Sequence, residues 1–337
     1  MRTAHAAFVL LLTTLASTLL TACSPRVEIG IGEFPERNLK PATVLADQNA
    51  GSLRVAMIDV KGLIMDADKP SLLGAGANPV DRFTVRLAMA ENDPSVRAIV
   101  VRISSPGGTV TGSDIMYHEL RRFAESSRKP VVASMGEIAT SGGYYLALAA
   151  DHIVAEPTTI TGSIGVIMPT FNFSEGMRKI GISSRSVKSA ANKDIANPFE
   201  APREGHFAIL QGLVDEYYAR FRSLVLARRK IDPAKVDTVA DGRVFSGAQA
   251  LELGLIDELG GVREAFAAAK KLAGLSRATL VKYSDENYPA RTPWAVAPTT
   301  EPAKSTLSLR MDLNNPLADL TTQETAGVYY LWYPGME

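Results

Sequence analysis

A single cysteine in 337 residues permits no intramolecular disulfide and no thiolate-rich metal site. Net charge is equally absent. The 36 Lys and Arg balance 36 Asp and Glu, whereas a nucleic-acid binder would show a basic excess. Histidine is scarce, four in all, and neither HExxH nor CxxC occurs, which removes the usual metal-site signatures. No pair of carboxylates is placed for glycosidase work, and no repeat is long enough to suggest a solenoid. What remains is an ordinary globular balance, 46% hydrophobic and 21% charged, too apolar for a disordered chain. The length suits one large α/β unit or two modest ones.

The most apolar stretch lies at the N-terminus. After Met1-Arg2, Phe8 to Leu20 is broken only by Thr, Ser and Ala; its thirteen residues fall short of the roughly 20 that span a bilayer but suit a secretory signal core. The run ends in Leu20-Thr21-Ala22-Cys23, where the sole cysteine falls. This resembles a bacterial lipoprotein signal, in which the cysteine receives lipid and becomes the new N-terminus; an incidental or buried cysteine is the alternative. Residues 1–22 are therefore expected to be removed, leaving 315 residues with 35 basic and 36 acidic side chains. The resemblance implies a chain lipid-anchored at Cys23 in a bacterial envelope and facing the periplasm. Ser24 in place of Asp favours the outer membrane.

Residues 23–51, with Pro25, Pro35 and Pro41, lack periodicity and read as a tether. A regular alternation follows. Leu53-Val60, Ala98-Ile103, Pro130-Ser134, His152-Ala155 and Ile164-Met168 read as strands, and Pro79-Ala90, Ser113-Ser126 and Ser141-Ala150 as helices. Such spacing predicts βαβ units and a mostly parallel sheet. A long amphipathic helix is expected over about Arg203 to Lys230, with Phe207, Leu210, Val214, Tyr217, Phe221 and Leu224 on one face. Beyond about Ser284 the chain turns Pro/Thr-rich, then closes on the apolar Val328-Tyr333.

Three segments carry possible chemistry. In Ser104-Ser105-Pro106-Gly107-Gly108 a strand runs into two glycines, whose unshielded backbone N–H groups suit an oxyanion or phosphate, although a tight turn alone explains them. In Thr140-Ser141-Gly142-Gly143 a serine stands at a helix start, where it is either a nucleophile or an ordinary N-cap. The third, Lys188 through Asp194, holds two lysines that base rates would leave on the surface. Outside the leader only His118, His152 and His206 remain, none in a catalytic context, so a Ser-His-Asp triad is poorly supported.

Taken in order, Ser141-Gly142-Gly143-Tyr144-Tyr145, Thr161-Gly162-Ser163-Ile164-Gly165-Val166-Ile167, Lys188 to Asp194 and Asp241-Gly242-Arg243-Val244-Phe245 resemble the signal peptide peptidase A (SppA) family. The resemblance covers about residues 52–265. It implies an α/β chain of the ClpP/crotonase fold, repeated βαβ units with a long helical arm, working as a membrane-associated serine endopeptidase without cofactor or metal. Carried over position by position, Ser141 matches the nucleophile, Lys193 the general base and Ser163 the hydroxyl orienting that lysine. Gly108 and Gly142 match the backbone donors of the oxyanion hole. A lysine acts as a base only as the neutral amine, so Lys193 is expected to be buried in the assembled enzyme, with Asp194 turned away.

The family further implies hydrophobic peptide substrates such as signal-peptide remnants, and a homo-oligomer whose sites are shared between protomers. Nucleic acid is not an expected partner. The domain reading is a lipoprotein signal over 1–22, a tether over 23–51, a peptidase domain over 52–275 and a C-terminal extension over 276–337. Two alternatives are kept. A crotonase-type acyl-CoA enzyme would share the fold but needs neither the Ser–Lys pair nor an export signal. A non-catalytic lipoprotein scaffold would not retain Ser141, Ser163 and Lys193.

Overall fold

A computed structural model of the chain describes residues 39–68, 78–286, 289–295 and 329–331. Cys23, the leader and much of the tether lie outside the described residues. The sheet is organised around β3 (Val96–Ser105), whose alternate residues are apolar on both faces. Ile99, Val101 and Ile103 enter one core, and Ala98 and Val100 enter the other. A strand buried on both faces belongs in the middle of a parallel sheet. Beside it run β2 (Arg54–Lys61) and β5 (Val131–Thr140), both parallel to it. β6 (His152–Ala155) and β9 (Glu258–Leu259) extend the sheet beyond β5. On the other side β10 (Thr279–Asp285) lies parallel to β2, and β1 (Leu39–Ala46) closes that edge antiparallel to β10.

The larger core is roofed by α1 (Pro79–Asn92) and α2 (Val110–Ser127). The α1 helix starts where Asn78 Oδ1 accepts from the Val80 N–H at 2.9 Å and Pro79 takes the first turn. It buries Phe83 and Leu87, while α2 buries Met116, Leu120 and Phe123. Truncating one such side chain to alanine costs about 2–5 kcal/mol. On the opposite face α6 (Val262–Leu272) buries Val262, Ala265, Phe266 and Ala269.

The expected long helix is α5 (Glu204–Arg228), whose C-terminal half is docked. Phe221 and Val225 are buried, Arg228 donates to the carbonyls of Leu148 and Ala150, and Tyr218 donates to the Ala240 carbonyl. Upstream, Phe207, Ile209 and Leu213 are exposed. Among the described residues no helix is long and apolar enough to cross a membrane.

This is the mixed α/β architecture of repeated βαβ units read from the sequence, with three corrections. Leu39–Ala46, assigned to the tether, is a sheet strand. As an edge strand it tolerates Pro41, and since only Val44 is buried it shows little apolar alternation. Thr279–Asp285, assigned to the extension, is an inner strand. The strand expected at Ile164–Met168 is instead β7 (Ile160–Gly162), because Gly162 (φ +86°) and Ser163 (φ +50°) turn the chain out of the sheet.

Candidate active site

The long strand β5 forks. Its first half pairs with β6, and Ile138–Thr140 pairs with β7 so that Thr140 lies opposite Gly162. One residue further along each strand stand Ser141 and Ser163, which this register makes neighbours. The Ser141 N–H donates to the Gly162 carbonyl at 2.8 Å. Thr161 Oγ1 donates to the Ala139 carbonyl at 2.7 Å, which lets a polar side chain sit fully buried in the strand.

Ser141 has φ +52° and ψ −115°, a conformation that non-glycine residues rarely adopt. It opens the short helix α3 (Gly142–Ala147) yet makes no side-chain cap bond, so the N-cap reading of its sequence position falls away. The residue is 1% exposed, and its Oγ is buried without a hydrogen-bond partner. A buried hydroxyl left unpaired costs free energy. Such an atom at a sharp strand-to-helix turn marks a group held for something other than stability.

Gly107–Thr109, a short strand (β4), runs against this turn. A Cβ on Gly108 would lie 1.7 Å from the Ile64 carbonyl oxygen, so only glycine fits. A Cβ on Gly142 would lie 2.3 Å from Ser113 Oγ and 3.2 Å from the Gly108 nitrogen. The two backbone amides expected to form an oxyanion hole are thus brought together beside Ser141. Ser105 shapes the turn: its buried Oγ accepts from the Gly107 N–H at 3.0 Å.

Ser163 is 7% exposed, and its N–H donates to the Arg243 carbonyl at 2.8 Å. Arg243 leads into β8 (Val244–Ser246), which pairs antiparallel with β7. The Asp241–Phe245 motif therefore acts through its backbone, by holding Ser163 in place.

Lys193 is not joined to Ser141 in the single chain. It lies exposed on the segment between α4 (Ser174–Lys179) and α5, while Ser141 Oγ has no hydrogen-bond partner among the described residues. Among the described residues it makes no salt bridge. Asp194 is turned to Lys188, at 2.5 Å, and to Arg203. Hydrogen bonding to Lys188, with Arg203 beside it, holds the Asp194 carboxyl down at about 2. The surrounding segment exposes Phe171, Phe173, Ile180, Ile182, Val187 and Phe199.

Of the histidines, His118 is exposed and His152 pairs with Glu258 at 3.1 Å. His206 is buried with its Nε2 3.9 Å from Asp194. None of these contacts involves Ser141. Among the described residues, no group of three His, Cys, Asp or Glu side chains gathers as a metal site. Ile64, whose backbone pairs with β4, went unread in the sequence; Tyr329–Leu331 (β11), within the apolar close of the chain, pairs with the other edge of β4. The apolar character of 328–333 was the only signal of the latter.

Residues 124–276 match the model of peptidase family S49, a span that includes Ser141, Ser163 and Lys193 but begins after Gly108. A candidate protease of Synechocystis is 40% identical over 222 residues, covering 66% of this chain and 75% of the relative. A candidate signal peptide peptidase SppA of Enterococcus faecium is 29% identical over 279 residues, covering 83% and 78%. Among solved structures, a mutant of the 1510-N membrane-bound stomatin-specific protease superposes with a TM-score of 0.41 and 18% identity, covering 64% of this chain and 84% of that one.

Proposed function

Because the chain belongs to the SppA-type peptidases of family S49, we propose that it is a membrane-associated serine endopeptidase that cleaves hydrophobic peptides with a Ser141–Lys193 dyad. The observation that carries this reading is Ser141 itself: a strained backbone, a buried and unpartnered Oγ, and the Gly108 and Gly142 amides beside it.

The neutral Lys193 amine takes the Ser141 proton as Oγ attacks the scissile carbonyl. The developing oxyanion accepts from the N–H groups of Gly108 and Gly142, whose positions are set before the substrate arrives. Lys193 then returns the proton to the leaving amine, and water hydrolyses the acyl ester by the same route. Ser163, on the strand end beside the nucleophile, orients the amine. This requires Lys193 to leave solvent and reach Ser141 Oγ. Assembly with further copies accomplishes it, and the apolar side chains exposed from Phe171 to Phe199 supply the surface that assembly would cover. A lipid on Cys23 would hold the oligomer at the bacterial envelope, on the periplasmic face.

The test uses the full chain in detergent with a fluorogenic hydrophobic peptide, alongside Ser141→Ala and Lys193→Ala, with assembly followed by light scattering. Cleavage is expected to fall by about 10³-fold or more in both variants while assembly persists. An assembled wild type that cleaves no member of a varied peptide set would sink the reading.

A further inference from the structure

The helix α3 begins at the strained Ser141, and its six residues are too few to hold a helix axis by themselves. Strain of this kind persists only where the surroundings over-determine it. From the strand side the Ser141 N–H is tied to the Gly162 carbonyl. From the helix side the tie is Tyr145, whose N–H donates to the Ser141 carbonyl at 2.8 Å and closes the first turn on that residue. The placing of Tyr145 therefore sets the placing of the Ser141 turn.

The Tyr145 ring is buried, edge-on to Tyr117 at 5.5 Å and to Phe221 at 5.0 Å between centroids. Apolar burial has no direction of its own; the hydroxyl supplies one. It donates to Asp114 Oδ1 at 2.7 Å. Burial first, and that bond second, push the phenol above its ordinary range, so it stays a donor. Asp114 belongs to α2, and the same Oδ1 accepts from Arg220 of α5, Nη2 at 2.7 Å and Nε at 3.2 Å. Arg220 Nε also lies 3.3 Å from Tyr145 Oη, and His118 Nε2 lies 3.5 Å from Asp114 Oδ1. One carboxylate oxygen thus gathers groups from three helices, through charge-assisted bonds that are short and strong. The guanidinium offsets the charge that Asp114 brings to the phenol.

We propose that Asp114 is a positioning residue for the nucleophile: locked by Arg220, it grips the Tyr145 hydroxyl and so fixes the turn that carries Ser141 and the Gly142 amide. The proposal rests on the peptidase reading for the purpose of that turn, while the grip itself can be read without turnover. Asp114 acts through Tyr145 and the backbone, since Ser141 Oγ has no hydrogen-bond partner among the described residues.

The experiment compares the full chain in detergent with Tyr145→Phe, Asp114→Ala, the two combined, and Asp114→Asn, on the fluorogenic peptide. Tyr145→Phe keeps the ring and loses the hydroxyl alone. Each single loss is expected to lower kcat about tenfold to a hundredfold at unchanged KM, as a displaced nucleophile would. The combined variant should fall no further than Asp114→Ala, because both changes remove the same bond. Asp114→Asn keeps an oxygen for the two donors and should restore most of the lost kcat.

Hydrogen exchange is the second readout and needs no substrate. The Tyr145 amide should exchange about tenfold faster in Tyr145→Phe, while β5 keeps its protection. Should Asp114→Ala fail to fold, Tyr145→Phe decides alone. An unchanged kcat in Tyr145→Phe, a change in KM alone, losses that multiply in the combined variant, or a Tyr145 amide exchanging at the wild-type rate would each overturn the proposal. A wild type that hydrolyses nothing would remove the peptidase reading, and the exchange comparison would then decide the grip by itself.

Discussion

At the residue scale, Ser141 carries two unfavourable terms. Its positive φ costs roughly 1–3 kcal/mol, and its buried, unpartnered hydroxyl costs about 1–3 kcal/mol more. Ser141→Gly removes both and gives back roughly 0.5–1 kcal/mol in chain entropy. The variant is therefore expected to gain about 1–5 kcal/mol and several degrees in Tm, with no activity. A Tm at or below that of the wild type would show that no strain is stored there. The residues around this point were legible in the sequence where the chain's geometry demands a residue type. Gly107 and Gly108 stand where no Cβ fits, and Ser141 and Ser163 end paired strands. Ile64 and Arg243 were not legible as parts of the site, because each contributes a main-chain group that any residue possesses.

At the scale of the element, the Asp194 carboxylate ties down the segment bearing Lys193. Asp194 ties Lys188 to Arg203 at the head of α5. Its carboxyl, at about 2 in the folded chain against an ordinary 3.8, takes up a proton when the segment opens at intermediate acidity. The contribution of Asp194 is therefore full above about pH 4 and is lost as the pH falls towards 2. Pepsin cleavage within 188–203, normalised to an unfolded peptide, should rise across that window in the wild type. It should be independent of pH and already fast in Asp194→Asn; identical profiles for the two chains would refute this. Elements were legible where burial imposes a period. β2, β3 and α2 all lie within a few residues of their sequence readings because their apolar positions face a core. β1 was hidden by its edge position, and β7 by Thr161, whose buried hydroxyl looks polar in sequence but is satisfied in the strand.

Across the whole molecule, the half-docked α5 and the exposed aromatic side chains before it put the apolar excess on one stretch of chain, residues 167–213. If this is the surface that brings Lys193 to Ser141, activity per subunit falls on dilution in step with disassembly. A constant rate per subunit through a measured shift to monomer would rule it out. The overall α/β architecture was legible from alternating strands and helices, but the order of strands at one edge was not, because β10 enters between β1 and β2. That insertion also governs when the protein can fold. Ala46 must find Thr279, and Arg54 must find the same residue from the other side. A chain emerging N-terminus first from a ribosome or a translocation channel holds β1 and β2 without their common partner until residue 285 is out. Contacts so distant in sequence close slowly. The finished sheet is thus reserved for the completed chain, and any machinery that must thread this polypeptide meets it before its edge has locked.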